Sequence, residues 1–278
     1  MRNFGIEIEC LLPNGLGRDG ATRREMLAAA VRSEGVDCNV EAYGHSTPTV
    51  WKIVTDQTIG YDNGAELVSP ILDIDADGLA QVEAVCRALA RVNARVNRDC
   101  GLHVHHDMRG ESFGTWKNIA KLHARYEASM DSLVPPSRRA NINRWCKSNV
   151  ASVSGYGSNN PVADVFAKVD ACTNLNELRE MQHGNSNERR YHKLNLEASA
   201  QHNTVEFRGH GGTVEFEKMQ AWVLLTSAIV EGAKTRSNTP IGCTDSNSVF
   251  ELMMREMTGE DGKKVRRFLR KRRALLGA

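Results

Sequence analysis

The chain has 278 residues, a formal net charge of +2, and 41% hydrophobic, 25% charged and 6% aromatic residues. This is ordinary globular composition, which excludes the disordered, collagen-like and low-complexity classes, and the near-neutral balance makes no global case for a nucleic-acid or membrane partner. The length suffices for a real core in one large domain or two small ones.

Taken in chain order, residues 4–12 alternate Phe4, Ile6 and Ile8 with Gly5, Glu7 and Glu9, a period of two that predicts a strand. Residues 1–9 put two carboxylates, Glu7 and Glu9, where a signal peptide needs its apolar run, and a cytoplasmic protein is expected. A helix is expected over 22–33, opening at Thr22 and ending before Gly35. Residues 50–56 and 64–69 read as strands, with Asp62-Asn63-Gly64 as the turn before the second. Leu79, Val82, Val85, Leu89 and Val92 recur at helical spacing, and Leu102 to Asp107 is a short strand. Trp116, Ile119, Leu122, Tyr126, Met130 and Leu133 form another helical stripe, stopped by Pro135-Pro136. Residues 136–160, rich in Ser, Asn, Arg and Gly, form the longest expected loop and hold Arg138, Arg139 and Asn141.

Short helices are expected at 161–170 and 174–182, then a hairpin of strands at 190–197 and 203–209. Phe216, Met219, Trp222, Val223 and Val230 mark a long helix, and two more close the chain at 246–258 and 261–276. The longest apolar stretch, Ala221 to Val230, is interrupted by Thr226 and Ser227 and is too short to span a bilayer. No repeat or composition break marks a linker, which favours a single α+β domain over 1–278. Seven widely spaced cysteines without a C-x-x-C make a poor disulfide framework and suggest reduced thiols.

Three strands share an unusual pattern. Glu7 and Glu9, His103 and His105, and Glu206 and Arg208 each stand at i and i+2, hence on one face, with apolar residues on the other. Glu66 sits in a fourth strand between Ala65 and Leu67. Gathered carboxylates are costly unless a cation neutralises them, and Glu with His suits a hard divalent ion. An arginine facing such a site is placed to hold a phosphate, so the set points to nucleotide-dependent phosphoryl transfer. Read singly, each pair is an ordinary solvated strand face, and His103, His105 and His106 read as a zinc set or as core groups. Gly15 to Gly20 fits G-x-G-x-x-G, but the preceding strand is not continuously apolar, so these glycines read as a flexible connection.

Four segments in order, Gly5-Ile6-Glu7-Ile8-Glu9, Gly64-Ala65-Glu66-Leu67-Val68-Ser69-Pro70, Cys100-Gly101-Leu102-His103-Val104-His105 and Thr204-Val205-Glu206-Phe207-Arg208, resemble the amidoligase family. That family lies in the carboxylate–amine ligase superfamily of glutamine synthetase and glutamate–cysteine ligase. The resemblance implies a curved, mainly antiparallel sheet, a half-barrel of glutamine-synthetase type, with helices on its outer face and ATP and divalent metal (Mg²⁺ or Mn²⁺) in its concavity. It implies Glu7, Glu9, Glu66 and Glu206 as metal ligands, and His103 or His105 as the histidine contacting metal or nucleotide. Arg208 is implied as the phosphate-binding arginine. Arg189, Arg190, Tyr191 and Asn195 resemble a family segment, with Arg190 as candidate for a second phosphate contact and Asn195 for cofactor binding.

The implied activity is an ATP-dependent amide synthesis through an acyl phosphate, joining an amine to a carboxylate. Glu7, Glu206 and Arg208 are the candidate catalytic residues. Asp56, in Thr55-Asp56-Gln57-Thr58, reads as a substrate contact or a turn cap. Two other readings stand beside the ligase: a zinc-dependent hydrolase on His103, His105 and Glu ligands, and a non-enzymatic adaptor that binds nucleic acid through the basic last helix. Residues 263–273 hold eight basic side chains and no acidic one, so the rest of the chain carries an acidic excess.

Overall fold

The structure, a computed structural model, describes residues 2–42, 44, 46–56, 58–59, 62–155, 157–183, 188–240, 242 and 245–277. Gln57 and Cys243 lie outside the described residues. The backbone gathers into two compact units, Met1–Asp107 with His210–Gln220 and Met108–Gly209 with Ala221–Ala278. Together they make a mixed α+β chain with mainly antiparallel strand pairing.

In the first unit the order is β1 (Asn3–Leu11), α1 (Gly20–Ser33), β2 (Cys38–Val40), β3 (Trp51–Val54), β4 (Gly64–Val68), β5 (Leu72–Asp73), α2 (Gly78–Arg91) and β6 (Gly101–Asp107). Strand β1 is central: β4 and β6 flank it antiparallel, β5 pairs with its first residues, β3 pairs antiparallel with β4, and β2 runs parallel to β3. The alternation seen in the sequence sorts the two faces. Phe4, Ile6, Ile8, Ala65, Leu67, Leu102 and Val104 are buried. Each fully buried large aliphatic side chain stabilises the fold by roughly 1.5–3 kcal/mol. Helix α1 packs against α2 and against β2 and β3.

Helix α1 begins two residues earlier than expected, because Asp19 rather than Thr22 caps it, accepting the Thr22 N–H at 2.7 Å. Gly20 lies so close to the Asp62 carbonyl that a Cβ would stand 2.2 Å from its oxygen. The last glycine of the G-x-G-x-x-G stretch therefore serves close packing.

In the second unit the order is α3 (Phe113–Asp131), α4 (Asn149–Ser154), α5 (Pro161–Ala171), α6 (Leu175–His183), β7 (Leu194–Asn195), α7 (Ala198–His202), β8 (Thr204–Gly211, whose last residues enter the first unit), α8 (Phe216–Lys234, which crosses between units), α9 (Ser246–Glu256) and α10 (Gly259–Leu275). Helix α3 packs against α4, α5, α6 and α9. The expected apolar stripe is present, but polar residues of α3 are buried as well: Asn118, Lys121, His123, Arg125 and Glu127.

The expected loop 136–160 contains α4, capped by Ser148 and held by Glu127, whose carboxylate accepts from Ser148 Oγ and from the Asn149 N–H at 2.9 Å. The expected strand 190–197 contracts to β7, because Lys147 takes the flanking backbone: its N–H donates to Tyr191 O at 2.8 Å and its carbonyl accepts from Lys193 at 3.0 Å.

The basic last helix is anchored as well as charged. Val265 and Leu269 are buried, Arg270 pairs with Glu251, and Arg272 donates to Leu133 O at 2.7 Å. Lys263 and Lys264 pair with Glu260 and Asp261 one turn earlier. The six described cysteines are free and buried. Among the described residues no helix is long and apolar enough to cross a membrane.

Candidate functional site

The register of β1 brings its acidic residues to defined partners. Glu9 stands directly opposite Glu66 on β4, and Glu7 directly opposite His103 on β6. Directly paired residues share a face, so Glu7, Glu9, Glu66, His103 and His105 gather on one side of the sheet. His106, one residue on, takes the other side, pairs with Phe4 and is buried, which fits the core reading of this histidine rather than the zinc set.

His103 Nδ1 lies 2.9 Å from Glu7 Oε2, and its Nε2 lies 3.6 Å from Glu9 Oε1. His105 Nε2 is 3.4 Å from Glu7 Oε1. The second Glu9 oxygen accepts the Gly101 N–H at 2.5 Å. A Cβ on Gly101 would sit 2.6 Å from His103 Nε2, so the glycine is what lets the imidazole reach between the two glutamates. Withdrawal from water by itself raises the Glu7 pKa, but hydrogen bonds and charge from His103 and His105 outweigh it and hold the carboxyl well below the usual range.

Like charges directly opposed across strands destabilise a sheet. Glu9 and Glu66 are such a pair, and Asp56 adds a third carboxylate: ligand oxygens of Glu9, Asp56 and Glu66 lie within 4.8 Å of one another. Glu7, Glu66 and His103 form a second group at the same spacing. Oxygen-rich donors with one imidazole fit a hard divalent ion. Asp56 also accepts from Thr58 N and Oγ1, both at 2.7 Å, so it caps a turn as one of its two sequence readings has it. Its membership of the acidic group was missed. The signal lay in register: Val54 faces Glu66, and Asp56 lies two residues further along.

In the second unit Glu206 and Arg208 bond to each other, Arg208 Nη1 to Glu206 Oε1 at 2.6 Å. Glu206 is 3% exposed. Its other oxygen accepts from Asn195 Nδ2 at 2.6 Å, across the β7–β8 pair. Asn195 spends its own oxygen on the Glu197 N–H, so both ends of its amide are engaged within the protein. Arg208 is tied through its backbone N–H to Lys193 O at 2.7 Å, and its guanidinium lies 5.9 Å from the Tyr191 ring. Arg190 lies over the same ring and donates to Tyr191 OH at 3.1 Å, while the Arg189 carbonyl lies 3.0 Å from His192 Nδ1.

The expected loop residues serve the fold. Arg138 is buried beside Cys146, Arg139 donates to Val134 O and Leu276 O, and Asn141 accepts the Ser148 N–H.

Comparison with curated proteins finds no matching relative. A protein-family model does match, over residues 1–230, a span that includes all the glutamates, histidines and arginines of both groups. The chain belongs to the family described as putative amidoligase enzyme.

Proposed function

We propose that the chain is an ATP-dependent carboxylate–amine ligase, using Mg²⁺ or Mn²⁺ and acting as one catalytic domain with the curved half-barrel of glutamine synthetase. Family membership supports an amide-forming ligase. The observation that carries the rest is the opposition of Glu9 and Glu66, with Glu7, Asp56 and His103 beside them.

Glu7, Glu9 and Glu66, with His103, would hold the divalent ion. A bound divalent ion supplies charge neutralisation for phosphate oxygens. A carboxylate is a poor electrophile; transfer of the terminal phosphoryl of ATP to its oxygen makes an acyl phosphate, which the amine attacks with release of phosphate. Arg208 and Arg190 hold the phosphates, and Arg208 stabilises charge on the group in transfer. The bond to Asn195 fixes the Glu206 carboxylate, which in turn aims Arg208. Glu7, with its depressed pKa, is ionised at neutral pH and so ready to bind a cation.

The test is a screen of amine and acid panels with ATP and Mg²⁺, reading ADP and the amide by mass spectrometry. ADP and amide should form together. Turnover at the wild-type level in Glu7→Gln or Arg208→Ala would reject the residue roles.

A further inference from the structure

The last two helices lie beyond the residues shared with the family, and the candidate site draws no residue from them. Residues 246–275 hold nine basic and four acidic side chains. The two signs are unevenly placed along α10. Glu260 and Asp261 stand in its first turn, and every charged residue of the helix after them is basic.

An α-helix turns by about 100° per residue, so spacing sorts the side chains of α10 into two faces. Gly262, Val265 and Leu269 form the buried face. Lys263, Lys264, Arg267, Arg270 and Lys271 stand opposite, and all five are exposed. The inward basic residues serve the fold. Arg266 donates to Met257 O, Arg272 donates to Leu133 O at 2.7 Å, and the Arg273 guanidinium lies 4.3 Å from the Phe250 ring. Carbonyl and ring partners neutralise no charge.

The outward cations are only partly matched. Lys263 and Lys264 pair with Glu260 and Asp261, and Glu251 pairs with Arg270 while also meeting the charges of Arg255 and Arg273. Exposed pairs of this kind are worth only about 0–1 kcal/mol. Arg267 and Lys271, one turn apart on the outward face, make no hydrogen bond or ion pair with any described residue. The fold gains no contact from either.

We propose that the outward face of α10 is a docking surface for the phosphate backbone of duplex DNA, held through charge and not through base sequence. Charge complementarity selects a polyanion: the five cations span about 12 Å of helix, and DNA carries one negative charge per about 1.7 Å of its axis. A helix that lies on a membrane keeps its apolar face for lipid, whereas Val265 and Leu269 are buried against the protein. Single strands and RNA loops are held by stacking bases on exposed rings, and Phe268, the one aromatic residue of α10, is half-buried. The wide major groove of B-form DNA and its flanking phosphates admit a helix, which the narrow groove of duplex RNA does not.

Fluorescence anisotropy of a short labelled DNA duplex, titrated with the full chain in EDTA and without ATP, tests this apart from the ligase reading. Neutralising about four phosphates gives a slope of about −3.6 in log K against log salt, so binding should weaken about a hundredfold between about 50 and about 200 mM salt. Arg267→Gln/Lys271→Gln breaks no contact and should keep the wild-type melting curve. It should weaken binding more than about tenfold at the lower salt and bring the slope to about −1.8. Arg267→Lys/Lys271→Arg should bind as the wild type does, because backbone phosphates are met by charge from either residue. Arg18→Gln/Arg98→Gln removes the same charge from side chains 88% and 85% exposed in the first unit, and should also bind as the wild type does. No binding at the lower salt, a slope unchanged in Arg267→Gln/Lys271→Gln, or an equal loss in Arg18→Gln/Arg98→Gln would overturn the proposal. Displacement of the duplex by polyglutamate or by phosphatidylserine vesicles at equal charge would overturn it too, giving the face to an acidic protein or a membrane. Tighter binding of single-stranded DNA or duplex RNA would overturn the choice of duplex DNA.

Discussion

His123 offers a direct test of the energetics of the second unit. Its side chain on α3 is 1% exposed, its ring centroid lies 6.1 Å from that of Phe207, and its Nδ1 is 3.8 Å from Glu127 Oε2. Burial, reinforced by the charges of Lys193 and His192, lowers its pKa from 6.5 to about 3. A buried neutral histidine stays unprotonated in the folded chain while the unfolded chain takes up the proton. Stability is therefore complete above the ordinary pKa and falls as pH drops below it, at about 1.4 kcal/mol per pH unit, until the folded pKa is reached. Between about pH 7 and about pH 5 the loss from this one group comes to about 2 kcal/mol.

His123→Leu keeps the apolar contact and removes the proton site. Urea unfolding of both proteins at the two pH values gives a double difference in which other titrating groups cancel. Glu127 is one of them; burial raises its pKa against the opposing effect of Lys193, which gives it the reverse pH trend. The variant should lose about 2 kcal/mol less than the wild type over this range. Parallel losses in the two proteins would refute the burial of a neutral imidazole.

Other outcomes follow from the two groups. Glu66→Gln should stabilise the metal-free protein by about 0.5 kcal/mol by ending the opposition to Glu9, and should abolish any rise in melting temperature on adding Mn²⁺; differential scanning calorimetry reads both. Gly101→Ala should displace His103 from between Glu7 and Glu9 and weaken Mn²⁺ binding, measured by electron paramagnetic resonance, without unfolding the chain. Arg208→Met leaves the Glu206 carboxylate buried without its cation and should cost about 3–5 kcal/mol in urea unfolding, most of it recovered in Arg208→Met/Glu206→Gln.

Much of the candidate site is legible in the sequence because side-chain direction in a strand follows a period of two. Glu7 with Glu9 and His103 with His105 could thus be assigned to a shared face before any strand was paired. The pairing itself was not legible. Nothing local says that Glu9 faces Glu66 or that Glu7 faces His103, since register depends on which strands are neighbours. Asp56 was separated from the acidic group for the same reason.

In the second unit the apolar stripe of α3 was readable, but the burial of Lys121 and Glu127 was not. Their partners, Asp170 and Asn238 for one and Ser148 and Asn149 for the other, are distant in sequence. Helix α4, only six residues long, gives too few turns to display a period, and its signature is the Ser148 cap. The strand expected at 190–197 failed where nonlocal bonding intervened, since residues 191 and 193 bond to Lys147.

The central claim is that a carboxylate is activated by phosphorylation before the amine attacks. In the acyl-phosphate route the carboxylate oxygen that accepts the phosphoryl group leaves with the phosphate when the amide forms. Turnover of an acid labelled with heavy oxygen in its carboxylate, with ATP and an amine from the productive panel, measures this in one experiment. One labelled oxygen should appear in each inorganic phosphate released, with ADP in equal amount. Unlabelled phosphate, or an amide formed with no ADP, would contradict that route.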